Sequence, residues 1–369
     1  MKILYLSPKY YPSIGGVEYT VQRLAEGMKA QGHLVTVACG DPSSTNVETE
    51  EINGIHVIKL PTYAPNNAFH VPKNKDAVKK ILDDKVDIVH THSAHAVISI
   101  APSAVKKALK PEWKLVYTMH FSTPGYTFFR KILWKLFWKR RINSSLKYVD
   151  AIHSTSPLES DMIATHFSNA KGKLVLIPLG IDEDVFQYNW KGRDSDYILY
   201  CSRVEKYKRI DLVVRSIEYV RKQGYNVKFF IVGSGSQSNY IKKISKRDEN
   251  IVYMPPKPRH EYLKLLSNAR AVVNLSMAEN FNLFLAEACV MGIPIVASSE
   301  AVAFCPNFAN VFNFNPKAIA QVIIKAISNP ESCIIARKYY PLPWKEIIKC
   351  FSTFYTQALN SRVKVHAKL

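Results

Sequence analysis

Two glutamates, Glu279 and Glu287, lie eight positions apart, just after an apolar run at 271–275 that is typical of a β-strand. Glu287 falls within an apolar helical pattern that starts at Leu283, whereas Glu279 stays in the loop before that helix. Backbone amides at a helix N-terminus bind phosphate, and carboxylates accept hydrogen bonds from sugar hydroxyls. The segment therefore predicts a pocket for a polyhydroxylated, phosphorylated ligand.

A basic cluster occupies a second loop of the same kind. Arg203, Lys206, Lys208 and Arg209 follow a strand-like run at 197–201 and precede an apolar helical pattern. Arginine presents a planar fork and lysine a compact charge, so cations in such a loop can clamp a diphosphate. A solvated charge run is the alternative, but the position between strand and helix favours function.

Two glycine-containing turns also follow predicted strands. Gly15 and Gly16 open a helix after the first strand, and paired glycines let the backbone approach an anion closely. Gly233 and Gly235 form a similar turn, which lacks the third glycine and the downstream acid of a dinucleotide fingerprint. Taken alone, each turn is more simply explained as a flexible connection.

Histidines mark the ends of two further strands. His90 and His92 would share one face of a strand, and with His95 they make a zinc site conceivable, although no Cys, Asp or Glu lies close by in the sequence. Strand-end histidines beside a cleft are the favoured interpretation. His120 follows a strand at 115–118, where it could donate to a substrate hydroxyl or phosphate oxygen, or serve the structure alone.

An aromatic, cationic segment at 126–141 predicts an amphipathic helix. Its apolar face would consist of Phe129, Ile132, Leu133, Leu136 and Phe137. The flanking residues would be Arg130, Lys131, Trp134, Lys135, Trp138 and Arg141. Tryptophan between basic side chains suits a helix that lies in an anionic bilayer interface. The alternative is a core helix with snorkelling basic ends.

The composition limits the class of partner. The chain has 369 residues, 47% of them hydrophobic, and a formal net charge of +20, which indicates an anionic partner. No stretch approaches the roughly 20 apolar residues of a membrane span, and the N-terminal apolar run is too short for a signal peptide. The six cysteines include no CxxC pair, which favours free thiols in a reducing cytoplasm.

Short apolar runs alternate with helical patterns along the chain, which predicts an α/β fold with parallel sheets. The predicted strands are 2–7, 34–39, 55–59, 88–91, 114–118, 151–154, 174–177, 197–201, 228–232, 251–254, 271–275 and 295–297. Because the pattern restarts after a polar stretch at 187–196, we expect two Rossmann-like domains, 1–188 and 189–345. Ligands of such sheets bind beyond the carboxyl ends of the strands.

Together these loops resemble the retaining glycosyltransferases of family 4, which have the GT-B fold. The matching motifs occur in the family's order over nearly the whole chain, at 15–18, 87–92, 117–120, 177–182, 202–211, 232–235 and 279–294. The resemblance implies two Rossmann-like domains facing across a cleft. It also implies a C-terminal helix, at 346–369, that crosses back onto the first domain.

The resemblance assigns one group of residues to the phosphates and base of a nucleotide-sugar donor. Arg203 and Lys208, as part of the catalytic set, would neutralise the diphosphate without a metal. Gly15 and Gly16 would line the cleft beside the phosphates, and the nucleobase would lie near Gly233.

A second group would contact the sugars of the donor. Glu287 would accept hydrogen bonds from the ribose, Glu279 would accept them from the transferred sugar, and His120 would contact that sugar near the reacting carbon. Asn282 stands where the family usually has a glycine, so a side chain enters the phosphate turn next to Leu283, another donor-binding residue.

The implied function is the metal-independent transfer of a hexose, with retention, from a UDP- or GDP-sugar to a lipid-linked or membrane-held glycan. The enzyme would be cytoplasmic and peripheral on the inner face of the cell membrane. The runner-up is a GT-B fold epimerase or hydrolase of sugar nucleotides, followed by a non-catalytic sugar-nucleotide or membrane-binding protein. A nucleic-acid binder is the weakest alternative, because no recognised nucleic-acid motif accompanies the charge. No metal or other cofactor is expected.

Overall fold

The structure is a computed structural model that describes residues 1–13, 15–65, 68–83, 85–122, 132 and 134–360. It divides into two compact units: unit 1 is Met1–Leu179 together with Trp344–Leu369, and unit 2 is Gly180–Pro343. Across these described ranges, no helix is both long and apolar enough to cross a membrane.

Unit 1 is built on one large sheet. Its strands are β1 (Lys2–Ser7), β2 (Leu34–Asp41), β3 (Glu48–Ile52), β4 (Ile55–Tyr63), β5 (Val71–Pro72), β6 (Ile88–His92), β7 (Lys114–Thr118), β8 (Ala151–Ser154) and β9 (Leu174–Leu176). They lie in the order β3-β4-β2-β1-β6-β7-β8-β9, and β5 pairs with β4. β3 and β5 are antiparallel to β4, whereas the other pairs are parallel. The central strands β1 and β6 are buried on both faces, as the apolar run of β1 predicts, although β6 buries two histidines and a threonine.

Helices cover the sheet of unit 1. They are α1 (Gly16–Ala30), α2 (Lys75–Asp83), α3 (Val97–Leu109), α4 (Lys139–Ser145) and α5 (Pro157–His166). One buried apolar cluster joins Ile98 and Ile100 of α3 to Leu115 and Tyr117 of β7. The helix-and-strand alternation of the sequence is therefore realised as helices packed on a parallel sheet.

Unit 2 repeats this architecture with a smaller sheet. Its strands are β10 (Tyr197–Cys201), β11 (Lys228–Val232), β12 (Ile251–Met254), β13 (Ala271–Asn274) and β14 (Ile295–Ala297), all parallel, in the order β12-β11-β10-β13-β14. Its helices are α6 (Ile210–Lys222), α7 (Ser238–Ser245), α8 (Arg259–Ser267), α9 (Leu283–Met291) and α10 (Pro316–Ser328). Both units are Rossmann-like, as predicted.

The last helix, α11 (Trp344–Leu359), returns to unit 1, which the sequence predicted. The indole Nε1 of Trp344 donates to the hydroxyl of Tyr19 at 3.0 Å. Ile348 packs against α1 at Gly27, where an added Cβ would lie 2.5 Å from the isoleucine Cγ1. Glycine at this position therefore allows the close approach of α1 and α11.

The division between the units follows Leu179, earlier than the expected boundary at residue 188. The physical reason is burial: Ile181 and Val185, just after Leu179, belong to the apolar cluster of unit 2. Strands β3 and β5 were absent from the prediction. β3 is mostly charged and β5 is only two residues long, so neither carries an apolar alternation.

Candidate functional site

Two loops of unit 2 meet at the carboxyl edge of its sheet. β10 and β13 are parallel neighbours, so the loops that follow them, 202–209 and 275–282, lie side by side. The amide of Met277 donates to the carbonyl of Tyr207 at 2.9 Å and ties the two loops together. The predicted cations and the first glutamate are therefore brought to one site.

Lys208 and Glu279 form the centre of this site. Lys208 Nζ donates to Glu279 Oε1, and the exposed fractions of the two side chains are 3% and 15%. An ion pair at this depth is costly to break, because the remaining charge has lost its water. An ammonium carries three N–H donors, so Lys208 keeps donors for a ligand while it holds Glu279.

Arg203 lies at the exposed side of the same loop. Its Nη2 donates to the hydroxyl of Tyr207 at 2.8 Å. The Lys208 ammonium lies 5.1 Å from the centroid of the Tyr207 ring. Tyr207 thus contacts both predicted phosphate-binding cations, and sequence reasoning missed it. Its position between two basic residues in a β–α loop is the signal that could have identified it.

The N-terminus of α9 is capped by Asn282. The Asn282 Oδ1 accepts from the Leu285 amide at 3.3 Å, and the residue has φ −93°, so this backbone position has no need of glycine. Asn282 Nδ2 is buried and has no hydrogen-bond partner among the described residues; the same is true of Asn280 Oδ1 and Asn274 Nδ2. Unpaired buried polar atoms beside a helix N-terminus indicate a place for a ligand or water. Leu283 is the first residue of the helix.

Glu287 is buried in α9 and held by two residues that the sequence did not single out. Arg259 Nη1 donates to Glu287 Oε1 at 2.6 Å, and the hydroxyl of Tyr262 donates to Oε2. Arg259 also donates to both carboxylate oxygens of Asp184, at 3.0 and 2.9 Å. Burial raises the pKa of Glu287, and the charge of Arg259 and the hydrogen bond from Tyr262 oppose that rise. A ribose bound here would share the carboxylate with Arg259 and Tyr262. Both residues lie on α8, where no sequence motif identifies them.

Gly233 is required by the fold itself. Its φ of +144° is in a region that side chains rarely adopt, and an added Cβ would lie 2.0 Å from the Ser202 carbonyl oxygen. The hydroxyl of Tyr253 donates to the Gly233 carbonyl at 2.8 Å. This glycine is explained by the close approach of two loops, whatever ligand lies nearby.

The glycine pair of unit 1 differs from Gly233. Gly15 is the N-cap of α1 with an extended φ of 177°, and Gly16 is the first residue of the helix. An added Cβ at Gly16 would meet no atom of the described residues within 4 Å. The described part of unit 1 therefore does not require glycine at position 16 for its packing and leaves the space beside this helix N-terminus open.

His120 lies in a left-handed turn after β7, with φ +48°. Its Nε2 is 3.2 Å from Nδ1 of His92, so one ring donates to the other. Buried Glu159 holds the turn: its Oε1 accepts from the Phe121 amide at 2.8 Å, and its Oε2 accepts from the amide and hydroxyl of Thr155 at 2.8 and 2.7 Å. Strained turns persist where surrounding bonds fix them. Glu159 is a positioning residue that the sequence analysis missed.

A directed chain of hydrogen bonds runs through the core of unit 1. His153 Nε2 lies 2.7 Å from the Ile177 carbonyl and must donate to it, so His153 Nδ1 accepts from the Thr118 hydroxyl at 2.7 Å. The Thr118 oxygen then accepts from His90 Nε2, also at 2.7 Å. His90 Nδ1 accepts from the hydroxyl of Tyr355 on α11 at 2.7 Å. The carbonyl at one end therefore fixes the neutral tautomer of both histidines.

Burial keeps the histidines of this region neutral. It lowers the pKa of His120 to about 3 and that of His153 to about 4, and it lowers the pKa values of His90 and His92 well below their ordinary value. His120 can therefore offer a ligand a neutral hydrogen-bonding group and no positive charge. Among the residues that the structure describes, no three His, Cys, Asp or Glu side chains are grouped to hold a metal.

The predicted membrane-binding segment is described in part: Phe129, Arg130, Lys131 and Leu133 lie outside the described residues. A π-helical turn, Trp134–Trp138, leads into α4. Trp134 stacks on Phe121 with ring centroids 5.8 Å apart, and Trp138 stacks on Phe69 at 5.4 Å. Both tryptophans are thus packed against unit 1.

The exposed side chains of this segment are apolar and basic. Ile132, Leu136 and Phe137 have exposed fractions of 39%, 50% and 66% and form what we call the exposed apolar patch. Lys135 and Arg141 are also exposed. The sequence placed the tryptophans on the flank of the apolar face. In the structure the tryptophans attach the segment to the unit, because their rings find aromatic partners there, and Leu136 and Phe137 point to solvent.

Two protein-family profiles together match most of the chain. The profile described as "Glycosyltransferase Family 4" matches residues 14–185, and that described as "Glycosyl transferases group 1" matches residues 181–340.

Two curated relatives cover most of the chain. The alpha-monoglucosyldiacylglycerol synthase of Acholeplasma laidlawii is 26% identical over 90% of this chain and 89% of its own. A phosphatidylinositol N-acetylglucosaminyltransferase subunit of Arabidopsis thaliana is 23% identical over 98% and 83%. Among solved structures, the sucrose-phosphate synthase of Thermosynechococcus elongatus superposes with a TM-score of 0.72 at 18% identity, covering 98% of this chain and 100% of that one.

Proposed function

The chain belongs to glycosyltransferase family 4 and is a GT-B fold glycosyltransferase, and on that premise we propose that it transfers a hexose, with retention, from a nucleoside-diphosphate sugar to a lipid acceptor. One observation carries the proposal. In unit 2, the buried pair Lys208–Glu279 lies in loops that meet beside the N-terminus of α9, where Nδ2 of Asn282 has no hydrogen-bond partner among the described residues. Cations, oriented amides and a carboxylate are the groups that a sugar diphosphate needs.

The leaving group determines what the cations do. As the bond between the anomeric carbon and the diphosphate oxygen breaks, positive charge develops on the sugar and negative charge on the diphosphate. Arg203, Lys208 and the amides at the start of α9 would stabilise the diphosphate, because they are in place before the charge develops. This arrangement supports a reaction that needs no metal.

Glu279 is suited to positioning the transferred sugar. Its carboxylate is already held by Lys208, so it would accept hydrogen bonds from sugar hydroxyls and leave the anomeric carbon to the acceptor. In the proposed step the acceptor hydroxyl forms the new bond from the face that the diphosphate leaves. The hydroxyl proton passes to the departing phosphate oxygen, which closes the proton balance.

His120 would contribute a neutral hydrogen bond near the reacting carbon. Its low pKa excludes a charged imidazolium at neutral pH, and the turn held by Glu159 fixes where the ring points. A neutral ring can hold a sugar hydroxyl without repelling the positive charge that develops on the sugar.

The lipid nature of the acceptor has independent support. Two relatives are named as enzymes of a diacylglycerol glycolipid and of phosphatidylinositol. The exposed apolar patch with its neighbouring Lys135, together with a net charge of +20, suits an anionic membrane surface. We therefore propose that the enzyme works as a peripheral protein at a membrane.

A release assay tests this function. The purified chain is incubated with UDP-, GDP- and ADP-hexoses, with and without vesicles that contain diacylglycerol or phosphatidylinositol, while free nucleoside diphosphate is measured. We expect release from one donor, strong stimulation by one lipid, and no loss in EDTA. Equal release without any acceptor would favour hydrolysis. Binding without release would favour an epimerase if the bound sugar nucleotide changes its configuration, and a non-catalytic protein if it does not.

A further inference from the structure

Unit 1 contains a groove that no part of the proposed donor site uses. It has a volume of about 560 Å³, which is within the ~300–1,000 Å³ typical of small-molecule pockets. β5, α2, α3 and α4 surround it, and its floor is apolar. The apolar lining residues are Val71, Pro72, Val78, Val97, Ile100, Ala101, Ala104 and Val105.

The rim of the groove is cationic. α2, α3 and α4 each contribute one basic residue to the lining, respectively Lys75, Lys107 and Arg141, and no Asp or Glu is among the described residues that line it. All three side chains are exposed, so an anion at the rim would meet positive charge and no carboxylate of the described lining. The groove therefore combines an apolar interior with a positive entrance.

The groove has the length of one lipid chain. Its lining follows α3 from Val97 to Lys107, which at about 1.5 Å per residue is about 15 Å. The hydrocarbon core of a bilayer is about 30 Å thick, so one acyl chain spans about half of that. An acyl chain laid along α3 would thus match the apolar floor.

One end of the groove adjoins the exposed apolar patch. The Val97 amide donates to the Phe69 carbonyl at 2.6 Å, and the Phe69 ring stacks on Trp138. Trp138 follows Phe137 of the patch and precedes α4, which carries Arg141. Phe69 and Trp138 therefore connect the Val97 end of the groove to the patch from which a lipid chain would come.

We propose that this groove binds one anionic phospholipid molecule, with an acyl chain along α3 and the phosphate at the cationic rim to which Lys75, Lys107 and Arg141 contribute. The lipid would come from the membrane to which the enzyme is proposed to bind, so the inference rests on that part of the proposed function. It does not depend on catalysis. It assigns to unit 1 a lipid site separate from the donor site of unit 2.

The test measures binding of a soluble single-chain lipid by calorimetry. The probe is myristoyl lysophosphatidylglycerol below its micelle concentration. Myristoyl lysophosphatidylcholine serves as the zwitterionic comparison, and glycerol 3-phosphate as the comparison without a chain. We expect saturable binding of the first, at least tenfold weaker binding of the second, and none of the third. Equal binding of the two lysolipids would overturn the role of the rim.

Substitutions locate the site. Ala104 is exposed in the groove, so Ala104→Trp should fill it and lower lysophosphatidylglycerol affinity at least tenfold, whereas Ala108→Trp, exposed on the same helix outside the lining, should not. Lys75→Glu should remove the preference for the anionic lipid, and Lys79→Glu, one turn along α2, should keep it. Unchanged binding in both groove variants would refute the proposal.

A second readout does not depend on how a variant folds. A diazirine placed on the acyl chain of the lysolipid should crosslink peptides of β5, α2, α3 or α4, the elements that surround the groove, in the wild-type protein. Labelling elsewhere would contradict the groove. Because neither measurement needs turnover, a protein that fails the release assay can still bind lipid here, and an active transferase can still lack this site.

Discussion

Arg203 and Lys208 were predicted as equivalent phosphate-binding cations, but their surroundings differ. Lys208 is buried and paired with Glu279, so Lys208→Ala would leave an uncompensated carboxylate and cost roughly 3–5 kcal/mol of stability. Arg203 is exposed and donates to Tyr207. Loss of activity after substitution is therefore informative at Arg203 and ambiguous at Lys208.

Arg203→Ala is accordingly the cleaner test of the diphosphate clamp. We expect kcat to fall about 100-fold, as when one preorganised donor to a developing charge is removed, with an unchanged melting temperature. Arg215→Ala, which removes an exposed arginine paired with Asp211 on α6, is the matched control. Full turnover in Arg203→Ala would show that this arginine does not act on the leaving group.

Asn282→Asp separates the two roles of the cap of α9. Aspartate caps a helix as well as asparagine does, so the free energy of unfolding should stay within about 1 kcal/mol. It replaces the unpaired Nδ2 donor with an anionic oxygen, so donor affinity should fall at least tenfold in a nucleoside-diphosphate binding assay. Asn315→Asp makes the same change at the cap of α10 and should leave affinity unchanged. Unaltered donor binding in Asn282→Asp would place the phosphates elsewhere.

Gly16→Ala and Gly233→Ala should behave in opposite ways. Alanine at Gly16 would contact none of the described residues and favours a helix, so the free energy of unfolding should hold or rise by up to about 1 kcal/mol. Donor kcat/KM should fall, because the added methyl group occupies the space proposed for phosphate. Alanine at Gly233 would clash with the Ser202 carbonyl and should cost roughly 3 kcal/mol or more. Thermal unfolding and donor kinetics of the two variants distinguish these effects. Wild-type kinetics in Gly16→Ala would remove that glycine from the donor site.

At the scale of elements, the hydrogen-bond chain through His153 and His90 links β6, β7 and β8 to α11, and it requires neutral rings. Burial lowers the folded-state pKa of His153 to about 4, below the ordinary value near 6.5. Between about pH 4 and pH 6.5 the unfolded chain therefore binds more protons than the folded chain does. Lowering the pH stabilises the unfolded chain and reduces the free energy of unfolding. Acid should loosen the attachment of α11.

Above about pH 6.5, we expect the buried histidines to add no pH dependence to the free energy of unfolding. Below that, it should fall by up to about 1.4 kcal/mol per pH unit for each buried histidine until the folded-state pKa is reached. Urea unfolding between pH 7 and pH 4 measures the slope. His153→Gln should flatten it by about one histidine's share, whereas His260→Gln, at an exposed site of unit 2, should not. A slope that is the same in both variants would mean that His153 is not a source of the acid sensitivity.

For the whole molecule, the net charge of +20 and the exposed apolar patch make separable contributions to membrane binding. Long-range attraction to anionic lipid is screened by salt, whereas burial of apolar side chains is not. Sedimentation with phosphatidylglycerol vesicles at low and high salt distinguishes the two.

Leu136→Ser and Phe137→Ser should each weaken vesicle binding about tenfold or more, because each removes an apolar side chain of the size that contributes about 1.5–3 kcal/mol when buried. Their exposure predicts unchanged melting temperatures. Phe312→Ser, at a side chain of unit 2 that is 76% exposed, is the control. If all three variants bind vesicles like the wild type, the patch is not the membrane-facing surface.

The amino-acid sequence alone determined the class of fold and the loops that carry the site. Apolar runs such as β1 and β13 must be buried on both faces, and turn residues such as Gly233 and Gly292 end elements where they occur. These are local properties, so they can be recognised without knowing the partners of each element. The pairing of Lys208 with Glu279 could also be anticipated, because parallel neighbouring strands bring their following loops together.

Tertiary structure alone decided how each charge and ring is used. Arg259 and Tyr262 meet Glu287, and Glu159 meets the His120 turn, across separations in sequence that no local pattern marks. The same holds for Trp134 and Trp138, which stack on Phe121 and Phe69. The helical pattern of the sequence does not indicate which face of the segment meets aromatic partners. Side-chain type and spacing set what a residue is able to do, whereas burial and long-range contacts set its protonation, its partner and the face that remains exposed.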